Sequence, residues 1–176
     1  SVGGTPDRRR PVVAVRPNEV DRSPIAVAGA RQEHAAILLK DGKLMSSFRY
    51  RGGGYRYYAI SEDGGASWSN TVCTNVIDPG CQGSTAAYMP SGTPSDNILM
   101  TNCNASSRKN LYFSVSCDGG ANWTAKKQVV TSGASAYSDI LVGQDGSVSV
   151  LYECDSDKFT QTAPYERIRF QRWPAS

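Results

Sequence analysis

The sequence predicts an all-β protein built as about three successive four-stranded antiparallel units, each the size of a propeller blade. Three observations carry this reading. An octet is written twice, as Ser61-Glu62-Asp63-Gly64-Gly65-Ala66-Ser67-Trp68 and as Ser116-Cys117-Asp118-Gly119-Gly120-Ala121-Asn122-Trp123, so the chain consists of repeated units that can be laid in register. Short β-branched and aromatic runs alternate with Asp-Gly and Gly-Gly turns, which is the hairpin signature. No stretch carries a convincing helical period. The 176 residues suit one domain, and Gly 17, Pro 9 and Tyr 9 fit a turn-rich β chain better than a helical one.

Residues 1–30 form an N-terminal segment, rich in Gly and Pro at its start, that is either mobile or contributes an outer strand. Residues 31–176 hold the repeats. The first unit runs from Ala35 to Leu39, turns at Asp41-Gly42, continues from Lys43 to Arg49, turns at Gly52-Gly53-Gly54, and enters the octet from Tyr55 to Ile60. The second has Ser84 to Met89, a turn near Ser95-Asp96, Asn97 to Cys103, a loop over 104–107, and Lys109 to Val115 into the second octet. The third has Ser138 to Val142, a turn at Asp145-Gly146, Ser147 to Cys154, a loop, and Tyr165 to Phe170. It lacks an octet but keeps Trp173 in register. Each unit reaches four strands when the segment after the octet is counted.

The octet reads as a structural staple. Asp63 and Asp118 accept hydrogen bonds from turn N–H groups, the glycines tolerate positive φ, and the Trp packs on neighbouring strands. It lacks the oxygen ligands and distant Glu of an EF-hand.

Charge and cysteines set bounds on function. A formal net charge of +3 does not argue for nucleic acid, and the dense cluster Arg8-Arg9-Arg10 sits in the terminal segment. No apolar run approaches membrane-spanning length. The five cysteines have no paired metal spacing. Cys73 and Cys81 flank one loop and could bridge; small semi-buried thiols are the equal alternative. The triplets Asn104-Ala105-Ser106 and Asn122-Trp123-Thr124 are compatible with a secreted protein. His34 is the only histidine, which excludes a His-based triad or a His-rich metal site within this chain.

With the octets in place, residues 30–173 resemble the sialidase (neuraminidase) family, whose repeats of this form are called Asp boxes. The segment Ala136-Tyr137-Ser138-Asp139, followed by Asp145-Gly146 and Leu151-Tyr152-Glu153, looks like the family's nucleophile strand and returning hairpin. The resemblance implies a six-bladed propeller, a Tyr137 nucleophile with Glu33 as its base, Arg49 and Arg108 as two members of an arginine triad, and Glu153 holding an arginine in place. Arg51 and Arg56 compete with Arg49, and Gln32 and His34 with Glu33. No cofactor and no metal is implied.

Geometry gives the same grouping independently. In an antiparallel meander, the start of strand one, the end of strand two and the start of strand three share an edge. Glu33 and Tyr137 precede first strands, Arg49 and Glu153 end second strands, and Arg108 opens a third, while the octets fall on the opposite edge. The residue types suit the chemistry as well. A sialic acid bears a carboxylate on its anomeric carbon and repels an anionic nucleophile. A phenol is neutral at rest, with a pKa of about 10, and sialidases use Tyr. Arginine forks match a substrate carboxylate in a way lysine does not.

The resemblance also implies parts that this sequence lacks, namely the first arginine of the triad and an aspartate acid/base. Arg16 and Arg22 stand in the wrong context. The expectation is therefore the C-terminal half of an exo-α-sialidase acting on sialylated glycans, completed by an N-terminal half. A trans-sialidase, an enzyme for the deaminated sugar, and a non-catalytic sialic-acid-binding propeller remain as alternatives.

Overall fold

The structure, a computed structural model, describes residues 31–92, 95–129, 133–155 and 163–175. The segment 1–30, with Arg16 and Arg22, lies outside the described residues, as do the side chains of Gln32 and His34. Among the described residues the regular structure is all strand, apart from one 3-10 turn at Pro90–Gly92.

The strands form three antiparallel sheets. The first holds β1 (Arg31–Leu38), β2 (Leu44–Tyr50), β3 (Gly54–Ser61) and β4 (Val72–Asp78) in sequential order. The second holds β5 (Ser84–Ala87), β6 (Ile98–Cys103), β7 (Leu111–Ser116) and β8 (Thr124–Gln128), again in order. The third has β9 (Ser135–Val142), β10 (Val148–Cys154) and β11 (Arg167–Trp173). Among the described residues this third unit has three strands and not the four expected of each unit. Trp173 ends β11 and packs against Phe113 of the second sheet, with ring centroids 6.2 Å apart.

Hairpin chemistry fixes the register. Asp41-Gly42 and Asp145-Gly146 make the same turn: Leu39 N–H bonds the Lys43 carbonyl at 2.8 Å, and Gly143 N–H bonds the Ser147 carbonyl at 2.8 Å. Gly42 and Gly146 have φ of 86° and 79°, the region that favours glycine.

The first strands β1, β5 and β9 lie next to one another, so the sheets radiate from a shared inner edge. Apolar layers fill the gaps between them. Met45, Val76, Ile98, Met100 and Trp123 join sheets one and two, and Leu99, Leu111, Ile140, Val150 and Tyr152 join sheets two and three. The outer face of sheet three is different, since Leu141, Leu151, Ile168 and Phe170 are exposed there.

The two octets are superimposable in their bonding. Asp63 Oδ1 accepts from Ser61 Oγ and Ser67 N, each at 2.8 Å, and Asp118 Oδ1 accepts from Ser116 Oγ at 2.8 Å and Asn122 N at 2.9 Å. These bonds hold both carboxyls at about 2, so they stay ionised at ordinary pH. The indole N–H of each Trp closes the turn on a glycine carbonyl, Trp68 on Gly65 and Trp123 on Gly120. The second octet also joins two sheets. Asn75 of β4 bonds the Trp123 backbone in both directions, and a Cβ at Gly120 would meet Met45 Cε at 2.8 Å.

The cysteines do not follow their spacing. No disulfide joins them, Cys73 is exposed on β4, and Cys81 is fully buried beside Cys103.

The octets differ in burial, which gives a test. Trp123 is buried between sheets, whereas Trp68 is only half-buried. Trp123→Ala should cost about 3–5 kcal/mol and Trp68→Ala distinctly less, read from urea unfolding curves. Equal costs would contradict the role of the second octet as an inter-sheet staple.

Candidate active site

Glu33 and Tyr137 were expected just before their strands; both lie inside them, each at a β-bulge. In β1 the pairing skips from Gln32↔Arg49 to His34↔Phe48, leaving Glu33 as the extra residue with φ of 54°. In β9 the pairing skips from Tyr152↔Ser138 to Cys154↔Ser135, so Ala136 and Tyr137 together face Glu153. Bulges re-aim side chains and are frequent beside active sites. A positive φ at a non-glycine residue carries strain that is also frequent at functional positions.

The re-aimed side chains meet. The Tyr137 hydroxyl donates to Glu33 Oε1 at 2.9 Å, and Arg49 Nη2 lies 2.9 Å from the same oxygen. Arg49 is almost fully buried, and its other arm, Nη1, donates to the Gly80 carbonyl at 2.7 Å. Arg108 precedes β7, and its guanidinium sits 5.4 Å from the centroid of the Tyr137 ring. Glu33, Arg49 and Arg108 are thus gathered around Tyr137.

Glu153 has a different contact from the one expected. Its Oε2 accepts the Tyr137 backbone N–H at 3.1 Å, the group that the bulge removes from the ladder. Among the described residues its bond is to this strand and not to an arginine.

The competitors of Arg49 are otherwise placed. Arg51 is exposed in the turn after β2. Arg56 is fully buried and bonds Asp78 Oδ2 at 2.8 Å and the Cys81 carbonyl at 3.1 Å. Asp78 Oδ1 in turn accepts the N–H groups of Gly80 and Cys81 at 2.7 and 3.0 Å. This buried pair shapes loop 78–83, which presents the Gly80 carbonyl to Arg49. Gly80 needs its φ of 76°, and a Cβ there would meet the Tyr50 carbonyl oxygen at 2.9 Å.

Two further residues were not legible in the sequence. Tyr165, in the turn before β11, accepts a hydrogen bond from Arg108 Nη1, and its ring centroid lies 5.8 Å from the guanidinium. Gln82 Oε1 accepts the Ser138 N–H at 2.9 Å. Both sit in loops with no repeat and no special composition to mark them.

A cavity of about 590 Å³ adjoins the site, lined by Glu33, Gln82, Tyr137, Glu153, Leu151 and Ile168 among others. Neither arginine lines it. Leu151 and Ile168 belong to the exposed face of sheet three. Among the described residues no cluster of His, Cys, Asp or Glu could hold a metal ion, and no helix is long and apolar enough to cross a membrane.

Electrostatics act on Tyr137 from both sides. The bond to Glu33, burial and the Glu33 charge push the phenol above its ordinary value, and Arg49 and Arg108 pull it down. The resting phenol is therefore neutral, with its proton directed at Glu33 Oε1.

Residues 13–150 match the family model described as BNR repeat-like domain. No curated protein matches the chain. Among solved structures, the chain is similar to the K499G mutant of NanB sialidase from Streptococcus pneumoniae, with 19% identity, 84% of this chain and 24% of that chain covered, and a TM-score of 0.66. The intramolecular trans-sialidase from Ruminococcus gnavus gives 24% identity, 84% and 33% coverage, and a TM-score of 0.62. Trypanosoma rangeli sialidase gives 23% identity, 73% and 22% coverage, and a TM-score of 0.55. These likenesses show a shared fold: the three sheets are blades of the sialidase β-propeller type. The chain spans between 22% and 33% of the length of these solved structures.

The opposing charges on Tyr137 give a measurable sign. Glu33→Gln removes the negative charge beside the phenol while both arginines stay, so Tyr137 should ionise at lower pH. The check is absorbance titration of tyrosinate, taking the difference between each chain and its Tyr137→Phe counterpart. An unchanged or higher titration would contradict the coupling.

Proposed function

The chain belongs to the BNR repeat-like domain family, and from that premise we propose that it is the C-terminal half of an exo-α-sialidase. The enzyme releases terminal sialic acids from glycoconjugates with retention of configuration, and it is active only when an N-terminal half completes the propeller. The observation that carries this reading is the Tyr137 hydroxyl donating to Glu33 at 2.9 Å while Arg49 holds the same carboxylate. A nucleophile within hydrogen-bond reach of a base, with that base oriented by a third group, is the arrangement covalent catalysis requires.

In the proposed reaction, Tyr137 attacks the anomeric carbon as Glu33 takes the phenolic proton. An aspartate outside this chain protonates the departing glycoside oxygen. The same aspartate then takes a proton from water, whose oxygen attacks the anomeric carbon and displaces Tyr137, and Glu33 returns the proton to the Tyr137 oxygen. A neutral phenol approaches a carboxylate-bearing carbon without the repulsion a Glu or Asp nucleophile would meet. Arg49 and Arg108 hold the substrate carboxylate through charge-assisted bonds. Glu33 Oε2 and Arg49 Nε are buried and lack a partner among the described residues, as befits a site that a ligand completes. Glu153 fixes the Tyr137 backbone and so the aim of the nucleophile.

The need for an N-terminal half is supported by sheet three. Its inner face is packed on sheet two, whereas Leu141, Leu151, Ile168 and Phe170 stand exposed on its outer face. A contiguous exposed apolar face marks an interaction surface. The N-terminal half would cover it and supply the missing arginine and aspartate. Some of the solved structures matched are trans-sialidases, and the same residues serve transfer to a sugar acceptor in place of water.

The test joins this chain to the N-terminal half and follows fluorophore release from a sialoside. The joined protein should turn over and the chain alone should not. Tyr137→Phe should lose roughly a hundredfold or more of the rate. Equal rates for Tyr137→Phe and the parent would sink the nucleophile assignment. Intact sialoside binding without turnover in the parent would make the protein a lectin.

A further inference from the structure

Two thiols lie beneath the proposed site with no part in its chemistry. Cys81 and Cys103 are both fully buried, and they pack with Ala136 against Tyr137. Cys81 belongs to loop 78–83, which carries the Gly80 carbonyl to Arg49. Cys103 ends β6 and donates its S–H to the Ser135 carbonyl at 3.2 Å, with the Ala136 carbonyl at 3.5 Å. The two segments are pressed together at Gly83, where a Cβ would meet the Thr101 carbonyl oxygen at 2.5 Å and Asn102 Cβ at 3.0 Å. The neighbouring Cys103 holds the Cys81 thiol below its ordinary pKa, and Cys81 together with burial pushes the Cys103 thiol up.

We propose that Cys81 and Cys103 are a modification site, a thiol pair that an oxidising compartment converts to an intramolecular disulfide beneath Tyr137. The other cysteines are poorer partners. Cys73 and Cys117 are exposed on β4 and in the second octet, and Cys154 closes β10 in the core between sheets two and three. Reduced, the pair anchors β9 through the Cys103 S–H bond to the Ser135 carbonyl. Oxidised, it gives up that donor and ties loop 78–83 covalently to β6.

Oxidised glutathione supplies the oxidant by exchange. The Cys81 thiolate attacks one glutathione sulfur and expels the other as a thiolate. Cys103 releases its proton to solvent, attacks the Cys81 sulfur and expels the second glutathione thiolate. The two protons lost by the cysteines end on the two glutathiones, so two protein thiols are oxidised and one small disulfide is reduced. Because both sulfurs are buried in the fold, exchange proceeds while the chain folds, before loop 78–83 closes over them.

The inference does not rest on the catalytic reading, and its test needs no activity. The full chain is refolded from the reduced state in a glutathione redox buffer and, separately, isolated without reductant from an oxidising compartment. Remaining thiols are alkylated, and the peptides are mapped without reduction. The expected result is a chain lighter by two hydrogens before alkylation, with a peptide linking Cys81 to Cys103. Cys103→Ala should lose the link and carry glutathione on Cys81, and Cys73→Ala should keep the link. Full alkylation of all cysteines in both preparations, or a link from Cys81 to Cys73, would overturn the proposal.

Discussion

One carboxylate oxygen, Glu33 Oε1, is shared between the Tyr137 hydroxyl and the Arg49 guanidinium. Most of what surrounds the site serves that sharing. A carboxylate this close to a phenol raises the phenol's pKa and keeps it protonated, whereas a nucleophile must lose its proton in the transition state. The two arginines pull in the opposite sense without outweighing it. In the proposed reaction the phenol would stay neutral as substrate arrives and would have a base in contact for its attack.

Bringing these groups together requires three strands from two non-adjacent sheets to converge, and regular pairing would not aim their side chains at one point. Two bulges solve this, one inserting Glu33 in β1 and the other setting Ala136 and Tyr137 opposite Glu153 in β10. The N–H that the second bulge frees is taken by the Glu153 carboxylate. Arg49 is aimed from below by the Gly80 carbonyl, which hangs from the buried Arg56–Asp78 pair. Removing one member of such a buried pair leaves an uncompensated charge. The geometry of the site is thus bound to the stability of the loop beneath it.

The octets made much of this legible in the sequence. They set the register, and the register grouped Glu33, Arg49, Arg108, Tyr137 and Glu153 on the edge away from themselves. Where reading failed, the reason is physical. Strand periodicity says nothing of bulges, so Glu33 and Tyr137 were placed before their strands and not within them. The bond of Glu153 to a freed backbone N–H depends on that bulge and was equally out of reach. Tyr165 and Gln82 sit in loops whose position is set by tertiary contacts alone. Cys103 could not be paired with Cys81 from spacing, since β5 and β6 bring them together across the second sheet.

The three sheets also account for what they do not contain. An apolar outer face on sheet three adjoins a cavity lined by Leu151 and Ile168 of that face and by Glu33 and Tyr137. The central claim remains that Tyr137 becomes bonded to the sugar. It is tested most directly by treating the completed protein with a sialosyl fluoride bearing a second fluorine beside the anomeric carbon, which slows breakdown of a glycosyl–enzyme intermediate, and mapping the adduct by mass spectrometry. The account predicts one sialosyl group on the peptide that carries Tyr137, on the phenolic oxygen. An adduct on a carboxylate, or fluoride release with no adduct at Tyr137, would contradict it.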